Sequence, residues 1–536
     1  MMKPDWMKWM LPLPRGMEVR EGEIKIDGTT RIALPPGAGA LIKKAAGQLR
    51  DDLKAWRRLD VPVVTTGKAL DGRVIAIGHP SQSTLVRETL AQAPTREVDG
   101  LNRGHIGNVT RAEPPAEGYL LRTAGKVCAV AGGDDAGTFY GVQTLRQILR
   151  GTGGRAIPNV NLWDWPSFPV RAMHLMCPRR GNLHLAEQVI ETLALWKLNT
   201  LILSFEYVPN FPFEGFGSLN DPQETLTRRE HAAFAAKCRS LGLEVIPLVP
   251  SFGHLNGFIF KSNEWDEIIE QHADPAKREE KFFSKRINYC PSNPRSFEIF
   301  FNLFDQVLDA YPSPYLHIGH DEIDDGPVGV CPLCQSVPAW ELLAEDLLKI
   351  HDRMTVKKGV RLMMWPDMII PYFRGGPRHG MKNIHPHMFM HLGIDHLPKD
   401  IIMTDWEYAR RTYYLRPDEA PEGSYPSIRY LLDHGFSVLP LGCNEPRSLM
   451  LFAQSAFKNS RIDWLPPGKG GAWAGLATPG ADVLGFGGTT WGHFSPDHKA
   501  LHAHAAVAAF AWNPNQTCAE IPDDCRQFMI DSMNWR

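Results

Sequence analysis

Between residues 170 and 491 the chain alternates short apolar runs with longer stretches in which apolar residues recur at helical spacing. Strands that alternate with helices in this way are typical of parallel βα units. Eight such units predict an α/β protein, a (β/α)8 or TIM barrel. An open doubly wound sheet is the alternative, although no glycine-rich phosphate loop follows any of the runs. The eight runs cover residues 171–176, 200–204, 244–249, 315–319, 360–365, 401–405, 436–441 and 483–491.

The first 150 residues have a different pattern and predict a smaller α+β domain before the barrel. A charged amphipathic helix is expected over residues 40–59, and a β-hairpin over residues 118–131. We find no candidate chemistry here and expect a packing or positioning domain. Residues 151–169 are rich in glycine and proline and predict a linker. Residues 170–536 then form the barrel with a C-terminal helix and tail.

Composition and charge exclude several classes of partner. A net charge of −2 over 536 residues gives no electrostatic reason to expect a nucleic acid or an anionic membrane. The amino terminus lacks the apolar core of a signal peptide, and no apolar run reaches the ~20 residues of a membrane helix. The nine cysteines are scattered and odd in number, which favours free thiols in a reducing compartment. We therefore expect a cytoplasmic protein and leave its oligomeric state open, a homodimer being one arrangement.

The fourth apolar run leads directly into two adjacent acids. Asp321 and Glu322 follow Gly319 and His320, and a turn-prone segment comes next. In a parallel α/β barrel the carboxyl ends of the strands carry the active site. Two carboxyl groups at such an end predict one that is kept protonated as an acid and one that stays ionised. The alternative is a strand end with two solvated acids, one of which caps a helix.

Polar and aromatic residues from other strand ends converge with this pair if the barrel forms. Three of the runs end at or near a tryptophan, and together these favour an aromatic-walled pocket for a small ligand over three separate core residues. Besides Asp321 and Glu322, the residues expected at this face are Arg171, Glu206, His254, Trp365, Asp367, Trp406, Tyr408 and Trp491.

Cys331 and Cys334 form a C-x-x-C motif shortly after the acid pair. This spacing suits a zinc ion or a redox pair. A structural zinc needs two more ligands, and the sequence holds no second C-x-x-C motif. Cys177 and Cys290 lie near other strand ends and His320 is close by, so a zinc site assembled from distant segments stays open as the alternative. We therefore expect free thiols, with no bound metal and no organic cofactor.

Together these motifs resemble the family 20 glycoside hydrolases, the β-N-acetylhexosaminidases, and in particular their divergent intracellular branch. The segment His317-Ile318-Gly319-His320-Asp321-Glu322 resembles the H-x-G-x-D-E signature of that family. Pro250-Ser251-Phe252-Gly253-His254 resembles its glycine-histidine segment after the third strand. Residues 117–119 and 136–145 are similar to the α+β domain that precedes the family's barrel.

The resemblance implies an exo-acting retaining hydrolase that removes terminal β-linked N-acetylhexosamine from an oligosaccharide or glycoconjugate. It further implies substrate-assisted catalysis, in which the sugar's own 2-acetamido oxygen attacks the anomeric carbon. Glu322 would be the general acid and base, and Asp321 would orient the acetamido group. Arg171 would match the first-strand arginine that grips sugar hydroxyls, with Glu206 and His254 in support. The tryptophans would line the pocket.

The chain also departs from the family pattern. The second strand keeps only Glu206 of the usual acidic pair, and His493 follows the eighth strand where an acid commonly binds sugar hydroxyls. Cys443 and Asn444 occupy the region of a seventh-strand tyrosine. Two alternatives therefore stay open: a glycosidase for a non-acetylated or modified sugar with Glu206 or Asp367 as nucleophile, and a sugar-binding protein without catalysis.

Overall fold

The computed structural model describes most of the chain. All of the candidate site residues named above lie within it except Asn444 and His493, which lie outside the described residues, as do residues 522–536. The described ranges are 4–66, 70–92, 114–206, 211–216, 221, 223–255, 267–270, 288–323, 328–371, 389–412, 420–443, 445–460, 481–491 and 502–521.

The amino-terminal domain is a mixed sheet covered by helices on both faces. The sheet has the order β1-β7-β5-β6-β4-β2-β3, with strands β1 (Gly16–Lys25), β2 (Thr30–Leu34), β3 (Val63–Thr65), β4 (Arg73–Gly78), β5 (Tyr119–Ala124), β6 (Val127–Gly132) and β7 (Ala156–Asp164). The helices are α1 (Ala40–Arg57), α2 (Thr84–Ala91) and α3 (Asp135–Gly151). On β4, Ile75 and Ile77 join the core under α1 and α3, whereas Val74 and Ala76 pack with α2, as the two-residue period of a strand requires. The predicted α+β domain and its β5–β6 hairpin are confirmed.

The domain extends further than the sequence pattern predicts. Strand β7 lies inside the predicted linker 151–169 and pairs antiparallel with both β1 and β5. The glycines that favoured a linker make a tight turn instead, since Gly153 and Gly154 have positive φ angles of 63° and 68°. The predicted extent of the linker is therefore wrong, and only the residues between Asp164 and Val170 connect the two domains.

Eight parallel strands follow, at the positions that the sequence predicts. They are β8 (Val170–Met176), β9 (Thr200–Ser204), β10 (Glu244–Ser251), β11 (Tyr315–Gly319), β12 (Arg361–Met364), a sixth strand in two pieces, β13 (Ile402–Met403) and β14 (Trp406–Glu407), a seventh in two pieces, β15 (Ser437–Val438) and β16 (Leu441–Cys443), and β17 (Gly485–Thr489).

The strand pairing closes these strands into a ring. β13 pairs with β15, while β14 pairs with β16, which pairs in turn with β17. Pro440 lies at the interruption of the seventh strand, where a residue without an N–H cannot extend the ladder. β17 then pairs with β8, and a Cβ on Gly485 would lie only 2.0 Å from the Val170 carbonyl oxygen. The predicted TIM-type barrel is confirmed.

Helices surround the barrel and begin with recognisable signals. Thr227 and Glu230 form a capping box at the start of α5 (Arg228–Ser240), and α6 (Pro294–Ala310), α8 (Pro426–Asp433) and α9 (Pro446–Asn459) each start with proline. None of the helices in the described ranges is long and apolar enough to cross a membrane. The helices are α4 (Leu183–Leu195), α5 (Arg228–Ser240), α6 (Pro294–Ala310), α7 (Ala339–His351), α8 (Pro426–Asp433), α9 (Pro446–Asn459) and α10 (His502–Trp512).

A buried ion pair joins the two domains. Lys197, just after α4, donates to Asp164 Oδ2 at 3.0 Å and to the Tyr119 hydroxyl at 2.8 Å, and the Lys197 and Asp164 side chains are fully buried. The indole of Trp512 in α10 donates to the other oxygen of Asp164 at 2.9 Å. Burial lowers the pKa of Lys197, and the neighbouring Asp164 carboxylate opposes that shift. The network therefore links the companion sheet, the barrel and its last described helix.

Replacing Lys197 with methionine is expected to lower the free energy of unfolding by about 3–5 kcal/mol, because Asp164 would stay buried without its counter-charge. Urea unfolding followed by tryptophan fluorescence measures the change. Lys237→Met is the matched control: its ion pairs with Glu187 and Glu191 are partly exposed, and about 1 kcal/mol or less is expected. Equal shifts for the two variants would contradict the assigned role of the buried pair.

Candidate active site

Two neighbouring strand ends adopt unusual backbone conformations. After β10, Phe252 and His254 have φ angles of 63° and 59°, and after β11, His320 and Glu322 have φ angles of 70° and 50°. Side chains other than glycine rarely adopt this left-handed region, which costs about 1–3 kcal/mol per residue unless the surroundings fix it. Such residues concentrate at active sites, where the strain directs a side chain toward the chemistry.

Hydrogen bonds from adjacent segments hold these strained turns. The Asn288 side-chain amide donates to the Ile323 carbonyl at 2.8 Å. The Glu322 N–H donates to Asp367 Oδ2 at 2.9 Å. Asp367 follows the fifth strand, so it fixes the backbone of Glu322 from the neighbouring βα unit. Its carboxylate also accepts a hydrogen bond from the Trp406 indole at 3.4 Å.

His254 lies at the centre of three carboxyl groups. Its Nε2 is 3.1 Å from Glu322 Oε2 and 3.3 Å from Asp321 Oδ2, and its Nδ1 is hydrogen-bonded to Glu206 Oε1. The side chains of Glu206, Asp321 and Glu322 are 1%, 7% and 10% exposed. The two adjacent acids therefore both contact one nitrogen of His254.

The charges around His254 determine its protonation state. Burial by itself lowers the pKa of His254, but the carboxylates of Asp321 and Glu206 and the hydrogen bonds to Glu206 and Glu322 outweigh it. The pKa of the imidazole is therefore well above its ordinary value of 6.5. A protonated ring has an N–H on both nitrogens and donates in both directions.

We expect His254 to be an imidazolium at neutral pH and to lose its proton only as the pH rises well above 6.5. Nitrogen NMR of histidine-labelled protein measures this titration, and His254→Gln assigns the signal. His174 is the internal control, because burial lowers its pKa to about 4 and keeps it neutral. Glu206→Gln should lower the pKa of His254. A His254 signal that titrates near or below 6.5 in the parent protein would contradict this electrostatic account.

The signature histidines have supporting positions. His320 Nε2 is hydrogen-bonded to the buried Asp346 at 2.8 Å, and Asp346 accepts a further hydrogen bond from the Tyr289 hydroxyl at 2.7 Å. His317 Nδ1 accepts from the Gly319 N–H at 3.1 Å, so its Nε2 donates to the Thr404 hydroxyl at 2.7 Å. Both rings are fully engaged in fixing the end of β11.

Aromatic residues form a wall beside the charged group. Trp365 is fully buried, and its ring centroid lies 5.9 Å from that of Trp491. The Trp491 indole donates to the Tyr408 hydroxyl at 2.9 Å, and the Tyr408 ring is 5.1 Å from that of Trp406. Burial, with smaller contributions that include the Asp321 carboxylate, raises the pKa of Tyr408 well above its ordinary value. The wall thus adjoins the acid pair.

Arg171 is not part of this site, contrary to the sequence-based expectation. Val170 and Ala172 point into the barrel interior, so the residue between them faces outward. Arg171 is fully buried toward the companion domain, where its guanidinium binds Glu117 at 2.7 Å and the Tyr140 hydroxyl at 2.9 Å. It also lies at the amino end of β8, away from the catalytic face. Its role is to join the domains.

Two residues on or after the first barrel strand, His174 and Arg179, were not predicted as site residues from the sequence. His174 continues the inward-facing series of β8, and its ring lies 4.6 Å from that of Trp491. The two-residue period from Ala172 was the signal that could have identified it. Arg179 follows the carboxyl end of the strand, with a side chain that is 27% exposed and a nitrogen 3.7 Å from Glu224.

Two groups of described residues place ligand atoms close enough to hold a metal ion. His254, Asp321 and Glu322 form one, and Glu270 with three cysteines forms the other. In the first group the protonated imidazole already supplies the positive charge between the two acids. Its arrangement is therefore suited to proton transfer and to stabilising a developing cation.

Comparisons with known proteins agree with this geometry. Residues 10–165 match the family model for glycosyl hydrolase family 20, domain 2, and residues 168–414 match that for the glycosyl hydrolase family 20 catalytic domain. The chain is 24% identical over 297 residues to a beta-hexosaminidase of Vibrio furnissii, covering 49% of this chain and 48% of that protein. It is 24% identical over 289 residues to a beta-hexosaminidase of Akkermansia muciniphila, covering 50% and 58%. The alignments thus span roughly half the length of these curated relatives.

Solved structures show the same fold. A chitobiase of Flavobacterium johnsoniae superposes with a TM-score of 0.66 at 17% identity, covering all of this chain and 73% of that one. A β-N-acetylhexosaminidase of Streptomyces coelicolor gives a TM-score of 0.62 at 16% identity and covers 98% and 96%. Both family models together span most of the chain, from residue 10 to residue 414, past the sixth barrel strand. The chain belongs to glycosyl hydrolase family 20.

Proposed function

We propose that this protein is an exo-acting retaining glycoside hydrolase that removes terminal β-linked N-acetylhexosamine by substrate-assisted catalysis. The observation that carries the proposal is that Asp321 and Glu322, adjacent at one strand end, lie 3.3 and 3.1 Å from the same nitrogen of His254. A retaining enzyme with its own nucleophile needs two carboxyl groups about 5 Å apart on either side of the glycosidic bond. Two adjacent acids at one strand end instead suit a mechanism in which the substrate itself provides the nucleophile.

Glu322 is assigned as the general acid and base. In the first step it transfers its proton to the leaving oxygen while the acetamido oxygen attacks the anomeric carbon. The carboxylate that forms is stabilised by the imidazolium of His254, whose other side is held by Glu206. In the second step Glu322 removes a proton from water, which opens the cyclic intermediate with retained configuration.

Asp321 and Tyr408 are assigned to the acetamido group. Ionised Asp321 accepts a hydrogen bond from the acetamido N–H and stabilises the positive oxazolinium-type intermediate. The Tyr408 hydroxyl accepts the Trp491 indole N–H and is hydrogen-bonded to Thr489, and it would exchange the Thr489 contact for the acetamido oxygen. Tyr408 would thereby replace the seventh-strand tyrosine that the sequence lacks. Holding that oxygen beside the anomeric carbon supplies a high effective concentration of nucleophile.

The remaining pocket residues are assigned to binding. Trp406 and Trp491 would pack on the apolar faces of the sugar, with the fully buried Trp365 supporting Trp491 from behind. Asp367 fixes both Glu322 and Trp406. Arg179, at the carboxyl end of the first barrel strand, replaces Arg171 as the proposed partner for sugar hydroxyls.

A comparison of p-nitrophenyl glycosides with and without the 2-acetamido group tests the proposal. We expect turnover of the N-acetylglucosaminide or N-acetylgalactosaminide and little turnover of the corresponding glucoside and galactoside. A thiazoline analogue of the cyclic intermediate should inhibit. Labelling of Glu206 or Asp367 by a 2-fluoro sugar would instead identify an enzyme nucleophile. Tight sugar binding by calorimetry without any turnover would identify a binding protein.

We also propose a cytoplasmic location. None of the eight cysteines in the described ranges is in a disulfide, and cysteines that stay reduced are typical of reducing compartments. Cell fractionation with an antibody to the native protein tests this. Recovery in an oxidising compartment would contradict it.

A further inference from the structure

A compact thiol cluster lies beside the active site. Cys290 stands just before α6, while Cys331 and Cys334 lie in the turn between β11 and α7. The Cys290 Sγ is 3.5 Å from that of Cys331 and 3.4 Å from that of Cys334. Glu270 completes the group, and one ligand atom from each of the four residues lies within 4.8 Å of the others. All four residues are buried.

These sulfur separations fit metal coordination. A disulfide requires sulfurs about 2.05 Å apart, which is far shorter than the observed distances. Two thiolates bound to zinc at about 2.3 Å in tetrahedral geometry lie about 3.8 Å apart. The Cys290–Cys331 and Cys290–Cys334 separations need to lengthen by only a few tenths of an ångström to reach that spacing.

The carboxylate of Glu270 is an independent sign of a missing ligand. One of its oxygens accepts hydrogen bonds from the N–H groups of Val330 and Cys331 at 2.7 and 2.9 Å. The other, Oε2, is buried without a hydrogen-bond partner among the described residues. Burying a carboxylate oxygen without a partner is costly. A bound cation would satisfy that oxygen and the adjacent thiolates together.

We infer that Cys290, Cys331, Cys334 and Glu270 form a structural zinc site. Three soft thiolates and one carboxylate match the ligand preferences of zinc, and four protein ligands leave no open position for catalysis. The Ser292 hydroxyl lies 3.3 Å from the Cys334 Sγ and would donate to it as a thiolate.

This inference revises the expectation of free loop thiols without a bound metal. The sequence shows only one C-x-x-C pair, and the other two ligands come from distant segments. Of the three further ligands that the sequence offered, Cys290 joins the cluster. His320 is hydrogen-bonded to Asp346 instead, and the Cys177 Sγ lies 3.8 Å from the Pro178 carbonyl oxygen. No local sequence motif marks Glu270 as a metal ligand.

The site would tie together the two loops that carry the proposed catalytic residues. Asn288, two residues before Cys290, donates to the carbonyl of Ile323, the residue after Glu322. Tyr289 binds Asp346, which orients His320. A zinc ion would link the segment that follows β10 to the turn after β11 and so hold both strained strand ends.

Metal analysis of the full-length protein tests the site independently of activity. We expect about one zinc ion per chain in protein purified without chelators, and its loss in Cys331→Ser/Cys334→Ser. Cys518→Ser is the control: this thiol lies elsewhere, next to Met450, and the variant should keep its zinc. Reconstitution with Co²⁺ should give the intense visible bands of tetrahedral thiolate coordination.

If the double cysteine variant fails to fold, the thermal stability of the parent protein provides a second test. Removal of zinc from the parent protein with a chelator should lower Tm, and added Zn²⁺ but not Mg²⁺ should restore it. Parent protein that lacks zinc and gives no Co²⁺–thiolate bands would overturn the inference. A disulfide between any two of the three cysteines in freshly purified protein would overturn it as well.

Discussion

Replacing Glu322 with glutamine is expected to lower kcat/KM for di-N-acetylchitobiose by about 10²–10⁴-fold, the usual contribution of one general acid. Glutamine has nearly the same shape but cannot transfer a proton. The backbone of Glu322 is held by Asp367 in a left-handed conformation, and the substitution leaves that backbone contact in place. Binding of N-acetylglucosamine, measured by calorimetry, should change little.

The dependence on leaving group makes this prediction specific. A p-nitrophenolate leaves without protonation, so kcat/KM for the aryl glycoside should fall much less than for the disaccharide. Glu214→Gln is the matched control, because its side chain is 81% exposed and parental rates are expected. Parental activity of Glu322→Gln on the disaccharide would contradict the role of Glu322 as the acid.

Replacing Asp321 with asparagine is expected to lower kcat by about 10²–10⁴-fold for aryl and disaccharide substrates alike. The reason differs from that for Glu322, because Asp321 stabilises positive charge on the intermediate and does not protonate the leaving group. Loss of this carboxylate also removes one of the charges that raise the pKa of His254. The imidazole should therefore lose its proton at lower pH in the variant.

Inhibitor affinity separates this electrostatic role from simple misfolding. The thiazoline analogue mimics the cyclic intermediate, so Asp321→Asn should weaken its binding far more than that of N-acetylglucosamine. Equal losses for the two ligands would indicate a damaged pocket. Unchanged kcat in the variant would show that Asp321 does not act on the intermediate.

Most of the fold could be predicted from the regular spacing of apolar residues along the chain. Each barrel strand was predicted because it is a short apolar run between helices, and all eight occur where expected. Strand β7 was missed because three glycines at residues 151–154 and a proline-containing stretch dominated the local signal. Its pairing with β1 depends on residues more than a hundred positions earlier.

In the candidate site, too, local patterns could be predicted from the sequence, whereas contacts between distant segments could not. Asp321, Glu322 and His254 could be predicted because each follows an apolar run at a strand end. Arg171 was misplaced because the prediction relied on its residue type and ignored its position in the strand. Its neighbours Val170 and Ala172 face the barrel interior, so Arg171 must face outward. The pairing of Glu270 with Cys290 and Cys331 arises only from tertiary contacts, so no local spacing could reveal it.

The attack by the sugar's own amide oxygen is the central claim, and fluorination of the N-acetyl group tests it most directly. Each fluorine withdraws electrons and weakens that oxygen as a nucleophile while changing the size of the group only slightly. With p-nitrophenyl glycosides that carry acetamido, fluoroacetamido, difluoroacetamido and trifluoroacetamido groups, kcat/KM should fall steeply with each added fluorine. A kcat/KM that stays constant across the four substrates would mean that the amide takes no part in bond formation.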